Sequence, residues 1–214
     1  MTTLEILKKA KDIWKAMLKV YIETGDLYIC HKENMNKTNP VFKNNMYIQS
    51  ANLCVESYSP ILSSTNYKTK IDNNQVIETY DMGYYHTCNL VSLNLAEILN
   101  NEELLEKACR KSVRMLDKAI EITTTPINES KKHNNMFRTI GIGVVGMADW
   151  MAYNKLSYKK DEDTDKVEAL VEKIAYYTLD ESCNLAQEKG SFKEFNNSYF
   201  TDGIILGKTA DKLM

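Results

Sequence analysis

The segment TCNLVSLNLAEI, residues 87–98, decides the fold of this chain, because its leucine and valine content predicts a buried strand. An amphipathic helix is predicted directly after it, over residues 100–122. Residues 139–143 suit a second strand or a tight turn, and residues 144–153 suit a further helix. A last amphipathic helix is closed by Gly190. Strands that alternate with helices predict an α/β architecture built on a parallel sheet.

The rest of the chain predicts shorter elements around this unit. A first helix ends at Gly25, and the apolar run at 27–29 predicts a buried strand. The asparagine-rich stretch 34–45 predicts a loop. A strand-like piece covers residues 46–50, and the polar stretch 59–74 predicts a surface loop or a hairpin insertion.

Composition and charge exclude several classes of protein. The chain has 214 residues and a formal net charge of −2, which gives no electrostatic reason to expect nucleic acid or a membrane as partner. Its five cysteines are odd in number and include no C-x-x-C pair, which favours a reducing cytosol over a secreted disulfide framework. The spacing of histidines and cysteines does not suit zinc, so we expect no metal site. The N-terminus also lacks the features of a secretory signal.

Residues 49–58, QSANLCVESY, hold the candidate site. Read as an extended segment, they place Asn52, Cys54 and Glu56 on one face, each roughly 6.5 Å from the next. An amide, a thiol and a carboxylate in a row span a sugar-sized ring. The amide can orient hydroxyl groups, the sulfur can carry redox chemistry, and the carboxylate can act as a general base.

Each of these residues also has a plainer interpretation. Asn52 can satisfy a neighbouring turn, Cys54 can be a small buried hydrophobe, and Glu56 can be a surface or salt-bridged glutamate. Two polar side chains on the same face as Cys54 are costly to bury without partners, which favours a site.

Two further motifs carry chemistry. Cys88 is either a core cysteine on a strand or a redox thiol that the fold brings near Cys54. Gly141, Gly143 and Gly146 form a G-x-G-x-x-G pattern, which is found in dinucleotide-binding oxidoreductases. No clean strand of five or six residues precedes it, so we favour glycines that allow close packing of a strand against a helix.

Segments in a fixed order resemble the large, catalytic subunit of ribonucleotide reductase. The three main ones are NLCVE (52–56), CNLVSLNL (88–95) and RTIGIGVVGMAD (138–149). ETGDLY (23–28) and KGSF (189–192) add support, so the similarity spans nearly the whole chain. The resemblance implies an α/β fold that is part of a ten-stranded barrel.

The resemblance also assigns roles to residues within this barrel segment, which we expect to span 1–214 as one unit. A finger loop at about 46–60 carries the catalytic Cys54, and a polar insertion follows at about 59–80. Cys54 becomes a transient thiyl radical that abstracts the ribose 3′ hydrogen, and Glu56 is the base on the 3′ hydroxyl.

Asn52 hydrogen-bonds the ribose hydroxyls and helps the 2′ hydroxyl to leave as water. Cys88 is one member of the redox-active pair that supplies the reducing electrons.

The departures from the family pattern are also informative. The family's first redox cysteine, its phosphate loop, its radical-relay tyrosine pair, its C-terminal thiol tail and its regulatory regions have no counterpart here. Cys30 lies in the wrong segment to be the redox partner, and we expect it to be structural. We therefore expect a central piece of the catalytic subunit, from a split gene or an excised fragment, that is inactive alone.

The implied partners are the remaining parts of the catalytic subunit and a small radical-generating subunit, with a di-metal and tyrosyl centre. The substrate is a ribonucleotide, and the external dithiol reductant resembles thioredoxin or glutaredoxin. We expect no cofactor bound by this segment itself and a cytoplasmic location. The alternative is an inactive remnant that acts as a binding or assembly module.

Overall fold

The secondary structure follows from a computed structural model that describes residues 3–26, 28–37, 43, 46–52 and 54–204. Its helices are α1 (Thr3–Thr24), α2 (Lys32–Lys37), α3 (Leu95–Ile98), α4 (Glu102–Ile122), α5 (Asn128–Phe137), α6 (Met147–Tyr153) and α7 (Asp161–Lys189). Its strands are β1 (Thr65–Asp72), β2 (Gln75–Asp81), β3 (Leu90–Asn94) and β4 (Gly141–Val145). Short 3₁₀ turns follow at Phe195–Asn197 and Tyr199–Asp202.

Strands β3 and β4 pair in parallel, from Leu90 opposite Gly141 to Asn94 opposite Val145. Helices α3, α4 and α5 lie between them in the chain, as a parallel connection requires. The predicted α/β architecture is therefore confirmed. In the part of the chain that the structure describes, these two strands do not close into a barrel.

The core is formed by buried side chains of β3, α3, α4, α6 and α7. Leu95 is fully buried, and Trp150 of α6 closes the core with its indole N–H donating to the Leu99 carbonyl at 3.2 Å. Cys109 on α4 is also fully buried, and burial raises the pKa of its thiol to about 11. This cysteine is therefore a packing residue, kept as a neutral thiol.

Charged groups join α4 to α7 beside that core. Glu181 is only 4% exposed, and it accepts hydrogen bonds from Arg110, at 3.2 Å, and from Arg114. A buried carboxylate is costly without such partners, so the two arginines fix the alignment of the two helices.

The predicted strand at 27–29 is wrong for the two residues of it that are described. Tyr28 and Ile29 lie outside any strand and are 63% and 40% exposed, while residue 27 lies outside the described residues. A short apolar run alone does not specify a buried strand, because a neighbouring strand must also be present.

The predicted loop at 34–45 and the strand-like piece at 46–50 also differ from the structure. Helix α2 covers the start of that loop, and apart from Lys43 the rest lies outside the described residues. The side-chain amide of Asn36 on α2 binds both backbone groups of Ile48. Its Oδ1 accepts from the Ile48 N–H at 2.9 Å, and its Nδ2 donates to the Ile48 carbonyl at 3.1 Å. Residues 46–50 are therefore anchored by a side chain and form no regular strand.

The polar insertion takes the form of an antiparallel hairpin, β1 with β2. Asn73 and Asn74 both have positive φ, 49° and 61°, which is the requirement of a two-residue type I′ turn. Tyr67 and Tyr80 stack across the strands with ring centroids 5.0 Å apart.

None of the helices described above is both long and apolar enough to cross a membrane.

Gly146, the last glycine of the G-x-G-x-x-G pattern, is required by packing. Its φ is +73°, and a Cβ there would lie 2.9 Å from Asn94 Oδ1 and 3.0 Å from the Ala96 nitrogen. The space beside this glycine is thus filled by α3 and its cap. Gly141 and Gly143 lie inside β4, paired with β3, and not in the strand-to-helix turn where a dinucleotide fingerprint binds a pyrophosphate. This placement supports the preference for structural glycines over a dinucleotide site.

Replacing Gly146 with alanine is expected to lower the free energy of unfolding by about 2 kcal/mol, because strain and a steric clash add together. The matched control is Gly203→Ala. Gly203 has nearly the same conformation as Gly146, φ +71° and ψ 16° against φ +73° and ψ 20°, but nothing within 4 Å of an added Cβ, so this change introduces strain alone. Urea denaturation of both variants measures the difference, and equal losses would contradict the packing role of Gly146.

Candidate active site

The candidate loop around Cys54 is a tight turn. The Asn52 N–H donates to the Ser57 carbonyl at 3.3 Å, and the Val55 N–H donates to the Asn52 carbonyl at 3.1 Å. Ala51 and Tyr58 form an isolated antiparallel bridge at its base. The prediction of an extended segment with three side chains in a row is therefore wrong, because the chain reverses direction between Asn52 and Ser57.

The Asn52 side chain explains the reversal. Its Oδ1 accepts from the backbone N–H of Glu56 at 3.1 Å and of Ser57 at 3.0 Å. An asparagine that satisfies turn N–H groups in this way competes with strand formation. Asn52 thus has the turn-forming role that was its plainer interpretation.

The other end of the same amide joins two of the predicted site residues. Asn52 Nδ2 donates to Glu56 Oε1 at 2.6 Å and to Cys88 Sγ at 2.9 Å, across 36 residues of sequence. Cys54 lies in the turn between Asn52 and Glu56, and both Cys54 and Cys88 are exposed. The fold therefore places both Glu56 and Cys88 in contact with Asn52, and Cys54 belongs to the same turn as Asn52 and Glu56.

The turn at Cys54 is strained. Val55 has φ +62°, a conformation that is unfavourable for a β-branched residue. Strain of this kind costs about 1–3 kcal/mol and is concentrated at functional sites. The Tyr58 hydroxyl stabilises the turn by donating to the Val55 carbonyl at 2.8 Å. Burial and the nearby Cys30 thiol raise the pKa of Tyr58, so this hydroxyl stays protonated and able to donate.

The base of the loop is anchored in a buried polar cluster. Ser59 and His133 are each 1% exposed, and Ser59 Oγ lies 2.8 Å from His133 Nε2 and 3.1 Å from Thr139 Oγ1. Burial, with a smaller effect of His86 nearby, lowers the pKa of His133 to about 3. His133 is therefore neutral near pH 7.

The segment around Cys88 is held by the next residue of α5. Asn134 Oδ1 accepts from Thr87 Oγ1 at 2.8 Å, and Asn89 Nδ2 lies 3.5 Å from the same oxygen. Asn89 Nδ2 also donates to the Thr139 carbonyl at 3.1 Å, at the entrance to β4. Both neighbours of Cys88 in sequence are thus fixed by side-chain bonds.

Sequence reasoning missed this support because it predicted no helix over 128–137. The signal was present as a spacing of i, i+3, i+4 and i+7 in the buried residues of α5, which are Ser130, His133, Asn134 and Phe137. Three of the four are polar, so the stripe does not resemble the apolar face that marks most helices.

The arrangement combines a hydrogen-bonding amide, a carboxylate and two accessible thiols. Such a set can orient hydroxyl groups, accept a proton and exchange electrons through sulfur. In the described ranges, no group of three or more His, Cys, Asp or Glu side chains is placed to hold a metal ion.

Comparison with known proteins shows which proteins this chain is similar to. Residues 3–212 match the model of the ribonucleotide reductase barrel domain. The chain is 36% identical over 208 residues to the ribonucleoside-diphosphate reductase subunit alpha of Synechocystis, with 96% of this chain and 24% of that protein covered. It is 31% identical to the subunit alpha of Helicobacter pylori, over 91% of this chain and 29% of that protein. The large subunit from Variola virus is 32% identical, over 92% of this chain and 24% of that protein. The chain thus spans only about a quarter of the length of these relatives.

Proposed function

Because this chain belongs to the ribonucleotide reductase barrel-domain family, we propose that it supplies the radical-bearing loop for the reduction of ribonucleoside diphosphates. The substrate class follows the names of the relatives, which are ribonucleoside-diphosphate reductases. Since those proteins are about four times longer, the reaction needs the remaining parts of the catalytic subunit as well.

The observation that carries this proposal is the double contact of the Asn52 amide with Glu56 and Cys88. A base and a reducing thiol must both reach one ribose ring, and here a single side chain touches both groups. The same contact argues against an inactive assembly module, in which Glu56 and Cys88 would have no reason to converge on Asn52.

The first half of the proposed reaction uses the turn. Cys54, as a thiyl radical, takes the 3′ hydrogen atom from the ribose and becomes a thiol. Glu56 accepts the proton of the 3′ hydroxyl, which makes the sugar radical better able to expel its 2′ substituent. Asn52 exchanges its present bonds for bonds to the ribose hydroxyls and so fixes the ring.

The second half of the proposed reaction reduces the sugar with two electrons from a pair of thiols. The 2′ hydroxyl leaves as water with the proton of one thiol. Cys88 and a second thiol then supply a hydrogen atom to C2′ and one further electron as they become a disulfide, and Glu56 returns its proton to the 3′ oxygen. The Cys54 thiol then returns a hydrogen atom to C3′, which regenerates the thiyl radical. An external dithiol of the thioredoxin or glutaredoxin kind reduces the disulfide, so ribonucleotide and dithiol yield deoxyribonucleotide, water and disulfide.

Three partners follow from these steps. The flanking polypeptides complete the barrel and exclude water from the radical. A small subunit with a di-metal and tyrosyl centre generates the radical. The third partner is the external dithiol reductant, which acts in the cytoplasm, where thiols are kept reduced.

Reconstitution tests the proposal. The chain is co-expressed with the remaining parts of a catalytic subunit and combined with the small subunit, a dithiol and a ribonucleoside diphosphate. We expect deoxyribonucleoside diphosphate to form together with one equivalent of oxidised dithiol, and no product when this chain is omitted. Full assembly without any reduction of either di- or triphosphates would contradict the proposal.

A further inference from the structure

Helix α5 connects the two halves of the site. We propose that His133 and Asn134 are positioning residues that set the approach of Cys88 to Asn52. This inference rests on the proposed function, since it assigns a role within that site.

Neither half of the site is held by regular secondary structure of its own. The turn after Ala51 is attached to the body of the protein through its base, where Ser59 is buried against His133. Cys88 lies in an irregular segment just before β3 begins at Leu90. The distance between the two halves therefore depends on what each is bonded to.

Both are bonded to consecutive residues of one helix. His133 binds the loop side through Ser59, at 2.8 Å, and Asn134 binds the Cys88 side through Thr87, also at 2.8 Å. His133 is 1% exposed and Asn134 is 6% exposed, so water does not replace either bond readily. Because consecutive helical residues have a fixed spacing, α5 acts as a rigid template between the two segments.

Thr139 forms a second connection between the loop side and the Cys88 side of the site. Its hydroxyl lies 3.1 Å from Ser59 Oγ, and its carbonyl accepts from Asn89 at 3.1 Å. The loop side and the Cys88 side are thus joined twice, once through α5 and once through the residues before β4. The hydrogen bond from Asn52 to Cys88 at 2.9 Å is the contact that this network maintains.

The thiols of the chain itself report on this geometry. The Asn52 amide contacts the Cys88 sulfur directly, at 2.9 Å, so loss of this contact should change the rate at which Cys88 is alkylated. Cys183 on α7 is exposed and far from α5 in sequence, which makes it a reference thiol, and buried Cys109 reports any unfolding. The rate for each cysteine is measured in the folded full chain with iodoacetamide and peptide mass spectrometry.

The variants are Asn134→Ala, Thr87→Val and Ser59→Ala. Asn52→Ala defines the effect of losing the contact directly, and Asn135→Ala is the matched control, because Asn135 is the exposed neighbour on α5. We expect the ratio of Cys88 to Cys183 alkylation to change roughly three- to tenfold in the three variants, in the same direction as in Asn52→Ala. The ratio in Asn135→Ala should match the wild type, and Cys109 should stay protected throughout.

Two results would overturn the inference. One is an unchanged Cys88 ratio in both Asn134→Ala and Thr87→Val. The other is an increase in Cys109 alkylation that parallels every change at Cys88, since that would reflect general opening of the fold. Thr87→Val keeps the side-chain volume, so the test remains valid if Asn134→Ala does not fold. Alkylation needs no turnover, so failure here is distinguishable from failure of nucleotide reduction.

Discussion

Replacing Cys54 with serine is expected to reduce nucleotide reduction by the reconstituted complex to background, a fall of at least about a thousandfold. A serine hydroxyl cannot form the radical that a thiol can, while it preserves the size of the side chain and the turn. Deoxyribonucleotide formation is measured under saturating substrate and dithiol, with assembly of the complex verified by gel filtration.

The matched control is Cys183→Ser, which makes the same chemical change at another exposed cysteine. Cys183 lies on α7, more than 100 residues from the turn in sequence and with no role in the proposed reaction, so this variant should retain wild-type activity. A Cys54→Ser complex that still reduces nucleotides would show that the thiol in the turn is not the radical carrier.

The second large effect is on stability in acid. Burial lowers the pKa of His133 to about 3, below the ordinary value of about 6.5 for an unfolded histidine. The unfolded chain therefore binds a proton at this residue between about pH 6.5 and pH 3, whereas the folded chain does not. Stability from the neutral His133 is fully present above about pH 6.5 and is lost as the pH falls towards 3.

The variant His133→Gln removes this titration and keeps a nitrogen near the position of Nε2. Between pH 6 and 4, we expect the free energy of unfolding of the wild type to fall more steeply than that of the variant, by up to ~1.4 kcal/mol per pH unit. Urea denaturation across this range measures both slopes. His31→Gln is the control, because His31 is exposed, and its slope should match that of the wild type. Equal slopes in His133→Gln and the wild type would contradict a buried, neutral His133.

Local signals in the sequence were sufficient to predict several helices and the parallel strand pair. The long helix predicted at 100–122 is α4, which begins at Glu102, and its N-cap Asn101 accepts from the Leu104 N–H at 3.0 Å. The parallel pairing of β3 with β4 follows from two apolar strands separated by helices. In these elements, apolar pattern, helix capping and chain connectivity all favour one structure.

The conformation of the site was less accessible to sequence reasoning. Val55 favours extended backbone by its own propensity, yet side-chain bonds from Asn52 hold it in the left-handed region. The bond between Asn52 and Cys88 depends on contacts between segments far apart in sequence. Such bonds follow no periodic pattern, so the sequence indicated which residues form the site but not how they are arranged.

The role of α5 in holding the two halves of the site could not be predicted from the sequence, for a related reason. Its inward face buries a histidine and an asparagine, and their partners Ser59 and Thr87 lie more than 40 residues away. A buried polar face is recognisable only when those partners are known, because without them the same residues suit a solvated surface.

The most direct test of the account is hydrogen abstraction at the ribose. The reconstituted complex is given a ribonucleoside diphosphate that carries deuterium at C3′, and the rate of reduction is compared with that of the unlabelled substrate in single turnovers. We predict slower reduction of the deuterated substrate in the wild type and no reduction of either substrate with Cys54→Ser. Reduction that proceeds at the same rate with both substrates, and that persists without the Cys54 thiol, would contradict the central claim that this turn carries the radical.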